Sequence, residues 1–145
     1  VTDPFFRSRL TGLVAVGAVT AYELAIKTIL TEFARKKHTV FGSFIENHYD
    51  RLNGRITLAE LRGKHIKRFG EKYARRFEKL LKASEDTVFQ AEHKSVQSSY
   101  SNIITWRNEF AHAGQIPQNA TYEEVRKAYE LGKEVIRCLA DSMKR

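Results

Sequence analysis

Residues 105–114 read TWRNEFAHAG, and three of their side chains could act together on a phosphodiester. Arg107 could hold a phosphate through two hydrogen bonds and stabilise the negative charge that grows in the transition state. His112 could take a proton from a ribose 2′-hydroxyl or give one to the leaving 5′-oxygen, because the imidazole pKa lies near neutrality. Asn108 could orient either group. This chemistry needs no metal, and it would spare DNA, which lacks the 2′-hydroxyl.

The spacing of these residues limits how they can meet. On an ideal helix Asn108 and His112 share a face, whereas Arg107 and His112 are separated by about 140°. The two would converge only if the helix end distorts or if a second chain contributes. One histidine cannot easily be both base and acid, so a symmetric dimer that brings two motifs together suits the mechanism.

The same residues also have a purely structural interpretation. Arg107 falls in the apolar stripe of its own helix, where a charge needs a partner. It could pair with a carboxylate such as Glu23 or Glu92. His112 could be an ordinary helix-terminal residue, favoured there by the helix dipole.

The elements that must position these side chains are helices. Capping residues precede the first, third and last of them, a turn-forming Asn53-Gly54 pair follows the second, and Gly114 ends the fourth. A polar region around residues 84–94 is interpreted as a turn or break, and no segment alternates convincingly enough to be a strand. We therefore expect an all-α, up-down bundle of four to five helices. The predicted helices cover about 5–34, 41–52, 57–82 and 95–113, and the last begins near 121.

One central helix should organise the packing. The first predicted helix is rich in Gly and Ala, and Gly12, Gly17 and Ala21 would let another helix approach it closely. The 145 residues are expected to form one domain. Because the chain begins at Val1 rather than Met, that domain is interpreted as a piece of something longer.

A basic stripe stands on the third predicted helix. Nine Lys or Arg residues and only two acidic ones lie between Arg62 and Lys82. On a continuous helix the cations gather on the side opposite the apolar residues, where they could contact RNA phosphates or form a solvated face. The candidate RNA-binding residues are Arg68, Lys72, Arg75 and Lys79.

The composition favours one class of binding partner over others. The formal net charge is +8 and the pI is near 9.7, which favours a polyanion, and nucleic acid over membrane. The most apolar stretch, residues 13–22, is too short to cross a bilayer. Cys138 stands alone, which excludes an internal disulfide and a Cys-based zinc cluster and fits a reducing, cytoplasmic compartment. Neither metal-ligand spacing nor a phosphate-binding glycine loop is present, so no metal and no cofactor is expected.

A helical bundle with R-N-x-x-x-H at the end of its penultimate long helix resembles the HEPN superfamily. The specific part of the resemblance is Arg107 to His112, with Asn108 as the polar residue typical of the motif. Glu23, in A-Y-E-L, resembles an acidic position that several members carry on their first long helix.

This resemblance implies a dimeric, metal-independent endoribonuclease with Arg107 and His112 of both subunits facing one cleft. Such domains commonly serve as toxins held by an antitoxin, or as effectors in antiviral defence and RNA processing. Other members are not catalytic and bind nucleotides, RNA or proteins instead. That alternative remains open from the sequence.

Overall fold

The computed structural model describes residues 3–52, 54–114 and 120–144. Every regular secondary-structure element in these residues is a helix, and none is a strand. The predicted all-α bundle is confirmed. Four long helices form its body, and α2 with a single-turn α3 connects the first two of them. The helices are α1 (Pro4–Lys37), α2 (Thr39–His48), α3 (Leu58–Glu60), α4 (Glu71–Glu92), α5 (Val96–Ala113) and α6 (Tyr122–Ser142).

The predicted caps begin and end these helices. The Asp3 carboxylate accepts from the N–H of Phe5 at 2.9 Å, ahead of α1. Thr57 and Glu60 form a reciprocal capping box at α3. Gly114 ends α5 with a φ of 72°, a conformation that glycine adopts at little cost.

The predicted third helix is interrupted, and the predicted break after it is present but occupies only the end of the region 84–94. A π-helical turn (Leu61–His65) and a 3-10 turn (Lys67–Phe69) lead to Gly70, whose φ of 117° stops the helix before α4 begins. Apolar residues keep their helical spacing across Gly70, which is why periodicity alone predicted continuity. The polar segment stays helical from Ser84, which is buried and donates to Glu134 of α6, as far as Glu92. The break follows at His93, whose φ is 57°, and Lys94.

Three tyrosines hold α1, α5 and α6 together. The Tyr22 ring stacks between those of Tyr100 and Tyr129, with centroid distances of 5.1 and 5.4 Å. The Tyr22 hydroxyl donates to the Tyr129 carbonyl at 2.7 Å, and the Tyr100 hydroxyl donates to the carbonyl of Ile56. Burial raises the pKa of both Tyr22 and Tyr100, so both phenols remain donors.

The predicted close approach to α1 occurs at Gly12 but not at Gly17. A Cβ on Gly12 would lie 2.0 Å from the Phe110 ring, so the α5 aromatic side chain rests on the α1 backbone. Gly17 is exposed, and no described atom lies within 4 Å of where its Cβ would stand. No helix of the described chain approaches Gly17, because Gly17 lies on the outward side of α1.

Two pairs of packed long helices run in opposite directions, as expected for an up-down arrangement, whereas α1 and α6 run in the same direction, with Tyr22 at Tyr129 and Phe33 near Met143. Phe110 lies at Gly12 and Tyr100 at Tyr22, so α5 is antiparallel to α1. Along α4 and α6 the residue numbers of contacting pairs also change in opposite directions, so these two helices are antiparallel. The contacts join Arg76 to Ser142, Ser84 to Glu134, and Glu92 to Lys127. The end of α5 therefore lies near the beginning of α1.

Candidate active site

The R-N-x-x-x-H motif lies on the last two turns of α5, which is α-helical from Val96 to Ala113. The helix end is not distorted, so Arg107 and His112 point about 140° apart and do not meet on one phosphate within a single chain. Of the two routes to convergence that the sequence left open, only a contribution from a second chain remains.

Arg107 is half-buried, and its guanidinium is not taken up by a salt bridge. Its Nη1 donates to the Asn108 Oδ1 at 3.1 Å. No ion pair within the described parts of the chain includes Arg107. Glu92, one of the two carboxylates considered as its partner, pairs with Lys127 instead. Since a guanidinium carries five N–H donors, most of its capacity is open to a ligand.

Glu23 faces Arg107 without closing an ion pair. It is half-buried on α1, and burial raises its pKa, opposed by the positive charge of Arg107 and by a hydrogen bond from the Gly54 backbone. Gly54 in turn has a φ of 75°, and a Cβ there would lie 3.0 Å from Arg107 Nη1. We call these three residues the Glu23–Gly54–Arg107 cluster.

Sequence reasoning identified Gly54 only as part of a turn, and Asn53, the other half of that pair, lies outside the described residues. The positive φ and the space that the guanidinium uses both require glycine at position 54. An Asn-Gly pair signals a turn in any sequence. It does not reveal which distant side chain packs on that turn.

We expect Glu23→Gln to raise the melting temperature of the monomeric chain at neutral pH by a few degrees. Because the folded-state pKa of Glu23 lies above its ordinary 4.5, ionising it costs stability once the pH exceeds that raised pKa. Glutamine keeps the acceptor for Gly54 and carries no charge. Thermal unfolding from pH 4 to pH 8 measures the difference, which should disappear toward pH 4.

The matched control is Glu32→Gln, which removes an exposed carboxylate from the same helix. It should leave the melting temperature unchanged at each pH. A Glu23→Gln variant less stable than wild type at pH 8 would contradict the unfavourable burial of this carboxylate.

Asn108, next to Arg107, and His112, near the end of α5, are both exposed. Packing of Phe110 on Gly12 fixes this end of α5 against α1. The imidazole of His112 can therefore reach a ligand in solution while its backbone is held by the bundle.

The other reactive side chains are structural. His65 is buried, with Nε2 2.8 Å from the Arg55 carbonyl and Nδ1 3.1 Å from the Tyr49 hydroxyl, and burial lowers its pKa. Cys138 is buried, and burial raises the pKa of its thiol, so it is a poor nucleophile. Across residues 3–52, 54–114 and 120–144, no three His, Cys, Asp or Glu side chains gather as a metal ion would require.

The basic stripe lies far from the motif in one chain. Tyr73, at the start of α4, packs 5.0 Å from Phe33, near the end of α1, whereas Phe110 rests on Gly12 near its beginning. Twenty-one helical residues separate these two points on α1, which is about 30 Å. The candidate RNA-binding residues that follow Gly70, which are Lys72, Arg75 and Lys79, are all exposed.

Arg68 does not belong to the same face as those three. The break at Gly70 leaves it on the 3-10 turn, where its Nη1 lies 2.5 Å from His48 Nε2 and 3.4 Å from the Tyr49 hydroxyl. The expectation that Arg68 shares a continuous helical stripe with Lys72 was wrong for that reason.

An open pocket of about 700 Å³ adjoins the basic region at the end of α1. Ile29, Phe33, Ala140 and Met143 line its apolar part. Lys36, Lys37 and Lys144 contribute further positive charge, with Glu32 among them. Basic residues from the end of α1, the C-terminal segment and the start of α4 therefore lie near one another, at the end of α1 opposite the motif.

An all-helical bundle whose penultimate helix carries R-N-x-x-x-H beside a glutamate of its first helix defines a HEPN-type domain. The chain matches the RiboL-PSP-HEPN family model over residues 1–145 and belongs to that family. No curated protein and no solved structure matches it.

Proposed function

We propose that this HEPN domain is a metal-independent endoribonuclease, with a site composed of Arg107 and His112 from two subunits. The observation that carries the proposal is the state of Arg107: a half-buried guanidinium, bonded to Asn108, with no ion pair in the described residues. A buried structural arginine would have its charge neutralised by a close carboxylate. This one is held in place with most of its donors free.

The chemistry assigns one role to each side chain. One His112 removes the proton of a ribose 2′-hydroxyl, whose oxygen attacks the adjacent phosphorus. The bond from phosphorus to the 5′-oxygen breaks, and the second His112 protonates that oxygen. Arg107 stabilises the added negative charge on the phosphate oxygens, with Asn108 orienting the guanidinium. The products are a 2′,3′-cyclic phosphate and a 5′-hydroxyl.

The proposal includes the setting that the family resemblance implies. The enzyme would act in the cytoplasm as a toxin-like or antiviral-defence effector, restrained by an antitoxin or another regulatory protein. Lys72, Arg75 and Lys79, together with Arg68, would bind RNA backbone. Because the start of α4 lies about 30 Å from Phe110 along the axis of α1, an RNA that contacts both Lys72 and the motif of one chain must span roughly that distance.

The test is incubation of purified protein with a structured RNA and a matched DNA in the presence of EDTA. We expect RNA products that end in cyclic phosphate, identified by mass spectrometry, and intact DNA. Cleavage that stops when the chelator is added, or products with a 3′-hydroxyl, would contradict the mechanism.

The second candidate function is a non-catalytic RNA-binding or protein-binding module. The proximity of Glu23 and Arg107 favours it, since the pair could simply balance charge inside the bundle. In that case Arg107→Ala strands the Glu23 carboxylate and lowers the melting temperature markedly. RNA binding would then depend on salt and on the α4 cations, and not on His112.

A further inference from the structure

The outward side of α1 carries an apolar stripe that the described chain leaves uncovered. Phe6, Leu10, Leu13 and Leu24 are 50%, 44%, 58% and 62% exposed. Gly17 and Thr20 complete the stripe, and all six positions fall within about 80° of one another on the helix. Their spacing alternates four and three residues, which is the heptad repeat of helices that pack along a seam. We call these six residues the α1 seam.

Further along α1 the chain's own α2 covers the same side of the helix. Thr31 is buried there, and a Cβ on Gly42 of α2 would lie 2.8 Å from the Arg35 backbone. The covering segment leaves α1 at an ion pair of 3.5 Å between Lys27 and Asp50. The seam begins where that cover ends, so the outward side of α1 is built for a packed helix along its whole length.

We propose that a second copy of this chain covers the α1 seam, with the two α1 helices antiparallel. In one register every seam residue faces a seam residue of the other copy. The two residue numbers in each facing pair then add up to 30. Phe6 faces Leu24, Leu10 faces Thr20, and Leu13 faces Gly17 of the other copy, so each small residue meets a large one. Thr20 can be buried there without losing a hydrogen bond, since its hydroxyl already donates to the Val16 carbonyl at 3.0 Å.

Charge complementarity supports this register. Arg9, Val16 and Glu23 lie along one flank of the seam, and in an antiparallel pair that flank faces its counterpart. Arg9 of one copy then lies opposite Glu23 of the other. Within the described residues Arg9 stacks on the Phe5 ring at 4.7 Å and makes no ion pair, so it is available to that carboxylate.

A lipid bilayer is a less suitable cover for the apolar residues of the α1 seam than a second copy of the chain. By length and composition α1 could cross a membrane, and 33% of its most apolar window is buried in the protein. The uncharged part between Arg9 and Glu23 is 13 residues, or about 20 Å, against about 30 Å of hydrocarbon. A narrow apolar stripe bordered by charges is typical of helix pairing.

The same register brings the two motifs together, which is the part of the inference that rests on the proposed function. Because α5 is antiparallel to α1, residues at the same height on the two helices have numbers with a constant sum. The contacts of Gly12 with Phe110 and of Tyr22 with Tyr100 give a sum of 122, which places Arg107 level with residue 15 of α1. The twofold axis crosses α1 at residue 15 as well. Gly12, which contacts Phe110 of α5, and Glu23, which faces Arg107, lie on the Arg9 side of α1, so both α5 helices border one groove. The Arg107 backbone of each copy lies at the centre of that groove. The two His112 backbones lie about 15 Å apart along the axis, and both imidazoles lean toward the centre because helical side chains tilt toward the N-terminus of their helix.

The first test is the mass of the full chain in solution by light scattering. We expect twice 16.7 kDa for the wild type and 16.7 kDa for Leu13→Arg, with equal helix content. The matched control is Phe89→Arg, which places the same charge at a 55% exposed position on α4 and should leave the dimer intact. A monomeric wild type, or a dimeric Leu13→Arg, would overturn the proposal, as would a monomer that binds phosphatidylcholine vesicles through α1.

Cysteine cross-linking tests the register, in a Cys138→Ala background. Oxidising a mixture of Leu10→Cys and Thr20→Cys should give disulfide-linked dimers, whereas either variant alone should not, because its two thiols lie about 15 Å apart along the axis. Cross-linking of each variant by itself would indicate a parallel pair and overturn the register.

RNA cleavage is measured on the same samples so that the two proposals can fail separately. A seam dimer without cleavage contradicts the nuclease and leaves the seam standing. Cleavage by a protein whose dimer survives Leu13→Arg contradicts the seam and leaves the nuclease standing.

Discussion

Replacing Arg107 or His112 with alanine is expected to lower the RNA cleavage rate by about 10²–10⁴-fold while the helical bundle stays folded. The loss for His112→Ala reflects the missing proton transfer. The loss for Arg107→Ala reflects the missing stabilisation of charge on the phosphate. Both are measured as single-turnover rates on one RNA, with circular dichroism and thermal unfolding alongside. Asn108→Ala should cost less, because Asn108 acts by orienting the guanidinium.

Two variants serve as controls for that experiment. His93→Asn removes an exposed histidine at a φ of 57°, a conformation that asparagine tolerates, and Arg137→Ala removes an exposed arginine from α6. Both should cleave RNA at the wild-type rate. Undiminished cleavage by Arg107→Ala and His112→Ala would defeat the nuclease proposal, and a large loss of stability in Arg107→Ala alone would favour the non-catalytic module.

The largest stability effect is expected at Gly132, where α6 crosses α1 and α5. A Cβ there would lie 2.3 Å from the Tyr22 hydroxyl and 3.2 Å from the Tyr100 backbone. Gly132→Val should therefore displace the phenol from the Tyr129 carbonyl and push α6 outward. Overpacking of this kind costs about 3 kcal/mol, which corresponds to a fall of roughly 10 °C in melting temperature for a chain of this size.

Gly63→Ala is the matched control, because nothing among the described residues lies within 4 Å of the position of its Cβ. That variant should be neutral or slightly stabilising, as alanine favours helical backbone more than glycine does. Equal melting temperatures for Gly132→Val and wild type would show that the tyrosine stack can shift at little cost.

Much of the fold could be predicted from the sequence because its determinants are local. Caps such as Thr57 with Glu60, the stop at Gly114 and the periodicity of apolar residues depend on neighbours a few positions away. The residue types at 107, 108 and 112 likewise indicated a chemistry before any geometry was known. The break at Gly70 was not predicted, because the apolar pattern continues across this glycine and the sequence does not show that its φ is positive.

The surroundings of those residues were decided by tertiary structure alone. Periodicity states which side of a helix is apolar, but it does not state which helix will cover that side, or whether any will. It therefore could not reveal that Gly54 packs on Arg107, that Gly17 faces outward, or that Lys72 lies about 30 Å from the motif. Each of these facts depends on contacts between residues far apart in the chain, and such contacts are set by the packing of whole helices.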